Sequence, residues 1–248
     1  MSDHDLPKPV AALTAEQAAN LKFLAHSSHE IRTPLSSVIG FADLLAEGGV
    51  EPEEQGRMLA IVSQEAHRLA KVFEQVFRLA RLDAGRGTEW NWKAWPAQAL
   101  FAHVGARAVP ETMTPPDIVE RGWIEGLTVV CDGDALAAAC AALFDNAQRY
   151  AGAHAAVSLI AERAELEGRP ALRLTVQDSG PGMTEATRQR AFERYFRGEL
   201  AASAPGSGLG LSLVKLTAEL LGGAAALANA PEGGLAASIT LPASEASD

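Results

Sequence analysis

Apolar or small residues between positions 21 and 45 fall at Leu21, Leu24, Ser28, Ile31, Leu35, Val38, Ala42 and Leu45. The steps alternate three and four, which is the seam of a helix packed in a bundle. Thr14 with Gln17 resembles a capping box near its start, and Gly48 with Gly49 ends it. A second helix begins around Glu51 and Pro52, where the proline's missing N–H costs little. Its seam reads Leu59, Val62, Ala66, Leu69, Phe73, Val76 and Ala80, until Gly85 and Gly87 break the pattern. Two long helices on a short turn make an antiparallel hairpin, which covers only one side of its own apolar stripe. A second copy would complete a four-helix bundle, so a homodimer is expected. The competing reading docks the hairpin on the remainder of its own chain.

The stretch SSHEIRTPLSS interrupts this ordinary helix with chemistry. His29 lies one residue past the seam, at its solvent edge. Glu30 beside it can take a proton from one ring nitrogen and leave the other a better nucleophile. Thr33 follows one turn on, where a hydroxyl can position a water. Pro34 cannot donate to the carbonyl of Glu30, so a bend or loosened turn is expected there. A solvated polar face is the plainer reading of the same residues.

The chain has 248 residues, a formal net charge of −10 and 48% hydrophobic residues. That balance fits a soluble protein with a real core and argues against nucleic acid or an anionic membrane as the main partner. No apolar run is long enough to span a bilayer, and the acidic, proline-broken N-terminus is unlike a signal peptide, so a cytoplasmic location is expected. Cys131 and Cys140 show no metal-ligand spacing and read as buried thiols.

The pattern changes after Gly87. TEWNWKAWPAQAL reads as a strand, with its three tryptophans as packing residues. GLTVVCD is a second strand, before a helix over 133–150. AAVSLIAERA and ALRLTVQD form a hairpin across the turn ELEGRP. A glycine-rich segment, a helix to Leu221 and the strands AAALANA and LAASITLPA complete an α/β sandwich with a mixed sheet. The expected organisation is a flexible arm (1–13), a helical domain (14–86) and a sandwich domain (87–248).

Three motifs in the sandwich point to a nucleotide. In FDNAQRYA, the neutral oxygen of Asn146 suits Mg²⁺, which takes few protein ligands beside phosphates, with Arg149 and Tyr150 about one turn on. In DSGPGM, Asp178 can accept from an exocyclic amine while Gly180 and Gly182 let the backbone approach a flat base. In PGSGLGLSLVK, Gly206, Gly208 and Gly210, with Leu209 among them, precede a helix whose first N–H groups face an anion. Between the last two lies an arginine-rich segment (Arg188, Arg190, Arg194, Arg197), read as a lid anchored by Phe192 and Phe196. Taken singly, each motif also fits a plain loop or surface helix.

In this order the motifs resemble the histidine kinases of two-component signalling, over roughly residues 21–242. The resemblance implies a dimerisation and phosphotransfer hairpin followed by a Bergerat-type ATP-binding sandwich, shared with gyrase- and MutL-type ATPases. It implies His29 as phosphoacceptor, Glu30 as its base, and Thr33 in dephosphorylation of the partner. It implies Asn146 for Mg²⁺, Arg149 and Tyr150 near phosphates and ribose, and Asp178 for adenine. Gly180, Gly182, Gly206, Gly208, Leu209 and Gly210, with Arg197, would shape pocket and lid. ATP and Mg²⁺ are the implied cofactors, and the receiver domain of a response regulator the implied partner. Ala142 departs from the family, which often has Asn there; a degenerate, scaffolding kinase is therefore the alternative. The short stretch before the hairpin leaves the input to a separate or removed sensor domain.

Overall fold

The computed structural model describes residues 15–83, 90–110, 116–121, 123–152, 154–198 and 206–245. The N-terminal arm, Thr14 of the capping box, the glycine break after the second helix, and positions 199–205 of the expected lid lie outside them. Two compact units form, Met1–Phe73 and Glu74–Asp248.

The first unit holds helix α1 (Ala15–Glu47) and the first part of helix α2 (Pro52–Asp83). Gly48 and Gly49 turn the chain out of α1 at φ +76° and +81°, values that side chains with a Cβ rarely adopt. Glu53 and Glu54 stand in the first turn of α2, where carboxylates complement the helix dipole. Helix α1 continues through Pro34, leaving the Glu30 carbonyl without its usual donor four residues on.

Within the single chain each helix shields only part of its expected seam. On α2, Val62, Leu69 and Val76 of that seam are shielded, as are the neighbouring Met58, Val72 and Leu79, whereas Leu59, Ala66, Phe73 and Ala80 are exposed. On α1, Ser27 and Pro34 are buried while Ser28, Leu35 and Ala42 are exposed. A bundle helix carries an apolar stripe about three positions wide per heptad, so one neighbouring helix covers only part of it.

The second unit begins within α2, whose Leu79 and Leu82 are buried and whose Arg78 guanidinium donates to the Ala135 carbonyl at 3.2 Å. Strand β1 (Lys93–Pro96) leads into α3 (Ala97–Ala108), followed by β2 (Asp117–Arg121), β3 (Leu127–Cys131), α4 (Gly133–Tyr150), β4 (Val157–Leu166) and β5 (Arg169–Asp178). Helices α5 (Glu185–Arg190) and α6 (Gly210–Leu220) precede β6 (Ala224–Asn229), β7 (Leu235–Pro242) and β8 (Ser244–Glu245). The five-stranded sheet runs β2-β4-β5-β7-β6, with β2 parallel to β4 and the other pairs antiparallel; a smaller sheet runs β1-β3-β8. Helices α3, α4 and α6 pack together against the larger sheet, burying Leu100, Leu136, Phe144, Leu159, Leu172 and Ile239. Each such side chain contributes about 2 kcal/mol when fully withdrawn from water. Cys131 and Cys140 lie in this core, and burial pushes both thiols up to about 12, with Asp132 adding to the effect on Cys131.

The tryptophan segment corrects the sequence reading. Its strand is only four residues long, and Pro96, extended at φ −54° and ψ 133°, hands over to α3 at Ala97. The stretch AQALFAHVGARA is rich in helix formers and buries Ala97, Leu100, Phe101, Val104 and Ala108 on a helical period. Trp90 and Trp95 pack against the core, but Trp92 stays 47% exposed. The β4–β5 hairpin closes on two residues, Glu167 and Gly168, both with positive φ, as a turn matched to strand twist requires.

Candidate active site

Asp132 begins α4 by accepting the N–H groups of Asp134 and Ala135, each at 3.0 Å. The helix then divides by period. Leu136, Leu143, Phe144 and Ala147 enter the core. Ala142, Asp145, Asn146, Arg149 and Tyr150 line one wall of a cavity of about 390 Å³. Positions three, four and seven apart share one helical face, which is why the motif FDNAQRYA is spaced as it is.

A second wall is the loop after β5. Asp178 is 9% exposed, and its Oδ1 accepts the N–H of Gly180 at 2.8 Å and of Leu235 at 3.2 Å. Both bonds fall on one oxygen, and Oδ2 takes neither. Asp178 lines a small recess with Leu143, Ala147, Val176 and Leu235, continuous with the larger cavity through Asn146, Tyr150 and Gly182. Apolar walls around a carboxylate suit a flat base bearing an amine. A Cβ at Gly180 would stand 2.5 Å from the Ala151 Cα, so this glycine seats the loop against the end of α4. It lines neither cavity.

The third wall is 206–210. A Cβ at Gly206 would meet the Arg149 guanidinium at 2.6 Å. Gly208, at φ +69°, lies against the Tyr195 backbone, whose N–H donates to the Gly208 carbonyl at 3.0 Å. Gly210 opens α6, and no side chain caps that helix. Its first N–H groups lack intrahelical partners, as at any helix start, and Gly210 lines the cavity. Leu209 is fully buried and lines neither space; it anchors the wall. Ser207 Oγ accepts the Leu209 N–H at 3.3 Å and donates to Gln75 Oε1 at 2.7 Å, bringing the end of α2 to the cavity rim.

The expected lid is partly committed to its own structure. Arg188 pairs with Glu185 and donates to the Leu227 carbonyl at 3.2 Å. Arg190 pairs with Glu193 and lies 4.3 Å from the Phe196 ring centre. Arg197 lines the cavity. Phe192 packs on the core as expected, but Phe196 lines the cavity instead.

Among the described residues no three His, Cys, Asp or Glu side chains gather to hold a metal unaided. The donor set at Asn146, a neutral oxygen beside room for phosphates, fits Mg²⁺ bound chiefly through a nucleotide. His29, Glu30 and Thr33 belong to α1, in the first unit. His29 and Thr33 are exposed and Glu30 half-buried; the Thr33 hydroxyl donates to the His29 carbonyl at 3.3 Å. Sequence reasoning missed Gln75, Ser207, Thr184 and Thr187 at the cavity. Ser207 sits inside the glycine motif and the two threonines beside the expected lid, whereas Gln75 comes from a distant helix that no local signal links to the cavity.

Two family models match this chain. The His Kinase A (phospho-acceptor) domain matches residues 19–85, and the histidine kinase-, DNA gyrase B- and HSP90-like ATPase matches residues 131–245. Signal transduction histidine-protein kinase AfsQ2 of Streptomyces coelicolor is 30% identical, over 96% of this chain and 44% of that protein. Sensor protein kinase PmrB of Pseudomonas aeruginosa is 32% identical, over 93% of this chain and 46% of that one. The chain therefore spans less than half the length of these curated relatives. Among solved structures, full-length ShkA in complex with AMPPNP is 25% identical with a TM-score of 0.56, covering 95% of this chain and 47% of ShkA. The histidine kinase ThkA, solved with the response regulator TrrA, shares the fold at a TM-score of 0.68 and 20% identity, over 92% of this chain and 63% of ThkA.

A helical hairpin bearing an exposed histidine, followed by a glycine-walled α/β domain, is the arrangement that the two family models describe. The chain thus carries the phospho-acceptor and ATPase domains of the histidine kinases.

Proposed function

We propose that this chain is the kinase core of an ATP-dependent protein-histidine autokinase. The observation that carries this is the pairing, in one chain, of a solvent-facing His29 beside Glu30 with a cavity walled by Asn146, Arg149, Asp178 and the 206–210 glycines. ATP is the substrate, with its adenine amine at Asp178 and its phosphates toward Arg149, Arg197 and the start of α6. A ring nitrogen of His29 attacks the γ-phosphorus, the bond to ADP breaks, and the proton of the other ring nitrogen passes to Glu30. Mg²⁺, held by Asn146 and the phosphates, would offset the charge that builds on the phosphate oxygens. The phosphoryl group then moves to an aspartate of a response regulator receiver domain docked on the hairpin.

Leu35, Ile39, Leu44 and Leu59 are exposed on the hairpin, and a second copy covering them would form a four-helix bundle. No helix among the described residues is long and apolar enough to cross a membrane; we place this part of the protein in the cytoplasm, taking its input from a sensor domain elsewhere. Incubation with γ-labelled ATP and Mg²⁺ tests the reading: acid-labile, alkali-stable label on the protein is expected, and its absence rejects an active kinase.

Ala142 supports a second reading. Its methyl lines the cavity where an amide would add a polar contact, which favours a scaffold that binds nucleotide without turnover. Thermal unfolding shifted upward by ATP, with no label transferred, would select that reading.

Thr33 has a conditional role. Its hydroxyl donates to the His29 carbonyl and keeps its oxygen lone pairs for a water aimed at a docked phosphoaspartate. Thr33→Ala should slow dephosphorylation of the regulator by about tenfold or more, as loss of a water-positioning group does, while leaving autophosphorylation unchanged. Equal dephosphorylation rates would discard the role.

A further inference from the structure

The loop that carries the base recess, 178–183, is pinned at both ends by one cross-strand pair. Asn229, last residue of β6, pairs with Leu235, first residue of β7. Leu235 gives its N–H to Asp178 Oδ1 at 3.2 Å, holding the loop's first residue. Asn229 holds the last. Its Oδ1 accepts the Met183 N–H at 2.9 Å, and its Nδ2 donates to the Met183 carbonyl at 2.8 Å. One amide side chain thus satisfies both backbone groups of one residue, as a neighbouring strand would.

The surroundings leave this clamp little slack. A Cβ at Gly182, which sits at φ +71°, would come within 2.8 Å of Asn229 Oδ1, so the amide occupies the bare face of that glycine. At the other end a Cβ on Gly234 would stand 1.8 Å from the Asp178 carbonyl oxygen, so the hairpin end is pressed onto the loop there as well. Gly182 and Met183 line both the main cavity and the recess beside Asp178. The next residue, Thr184, caps α5 by accepting the Thr187 N–H at 3.2 Å, and both threonines line the cavity.

We infer that Asn229 is a positioning residue for the nucleotide: it fixes the Gly182–Met183 backbone as one wall of the base recess, and so sets the affinity for ATP and ADP without touching the reacting groups. This rests on the reading of the cavity as a nucleotide site. The polar atoms of Asn229 compete with water, since the residue is exposed; its effect lies in the register it imposes on the loop rather than in added fold stability.

Calorimetric titration with ADP tests this on the whole chain, with Asn229→Ala and the isosteric Asn229→Asp. The alanine removes both bonds; the aspartate keeps the acceptor for Met183 N–H but turns an oxygen against the Met183 carbonyl. Each is expected to raise the ADP Kd by about fivefold or more, the scale set by one or two net hydrogen bonds. The KM for ATP should rise in step, while the labelling rate at saturating ATP holds. A merely structural role would do the reverse, lowering the rate and melting temperature with KM unchanged, and would overturn the inference. So would ADP affinities equal to that of the unaltered chain. If Asn229→Ala folds poorly, Asn229→Asp decides alone. Failure of the unaltered chain to bind ADP rejects the nucleotide site itself, and this inference with it.

Discussion

His29→Ala will reduce acid-labile label from γ-labelled ATP to background while leaving ADP affinity unchanged. The two halves of this expectation follow from separate observations. His29 is exposed on α1 and lines neither the main cavity nor the base recess, so its loss removes no contact from the nucleotide. The nitrogen that would carry the phosphoryl group is gone, and no other histidine among the described residues has a carboxylate next to it in the chain. His67 is exposed on α2, but Ala66 and Arg68 flank it, with no carboxylate next to it in the chain; its Nδ1 is bonded to the Ser63 carbonyl at 2.7 Å. His103 is held by Asp134 at 2.9 Å and stacks beside Trp95, with ring centres 4.8 Å apart. Label that persists at full level in the variant would reject His29 as acceptor, and digestion of the labelled protein would then locate the true one. Loss of ADP binding together with label would show instead that the substitution had disturbed the second unit.

Much of this architecture is legible in the sequence, for a reason visible in particular residues. Helix α4 runs over the 133–150 that its pattern predicts, because Asp132 caps it and its apolar period is unbroken. The glycines at 180, 182, 206 and 208 announce close approach, and each would bring a Cβ within 3 Å of a neighbour. What sequence hides is partnership. The hairpin stripe is plain, but both flanks of the helix carry apolar residues, and the sequence does not say that Val72 is buried within the chain while Phe73 is left exposed. Strand β2, whose DIVER has one half-buried residue among exposed ones, lacks a clear alternation and is defined by its pairing with β4. Asn229 lies near the end of the alanine-rich strand AAALANA and carries no local mark of a role; its amide acquires meaning from Met183, 46 positions away in the chain. Gln75 meets Ser207 across a separation of 132. Local signals write helices, turns and close contacts, whereas the base recess is assembled by segments that carry no mark of one another.

Asp178 offers the second large effect, because its two carboxylate oxygens have different work. Oδ1 accepts two backbone N–H groups and ties the loop to the β6–β7 hairpin end. Oδ2 takes neither bond and is the atom proposed to accept from the adenine amine. Asp178→Asn separates the roles. The amide oxygen can take the place of Oδ1 and keep both backbone bonds, so the melting temperature should fall by no more than about 3 °C, the size of a sub-kilocalorie change. The amide nitrogen then occupies the Oδ2 position and presents a donor to a donor. Loss of a charge-assisted bond, with that mismatch added, should weaken ADP by about a hundredfold. Asp178→Ala would lose the affinity too, but would also leave two N–H groups without an acceptor at about 1–3 kcal/mol each where they are buried, so its melting temperature should fall clearly. Calorimetry with ADP and thermal unfolding of both variants measure the two effects independently. If Asp178→Asn binds ADP as tightly as the unaltered chain, the base amine is not read by this carboxylate. If it instead unfolds as readily as Asp178→Ala, the bonds at Oδ1 depend on the negative charge, and the division of labour between the two oxygens is wrong.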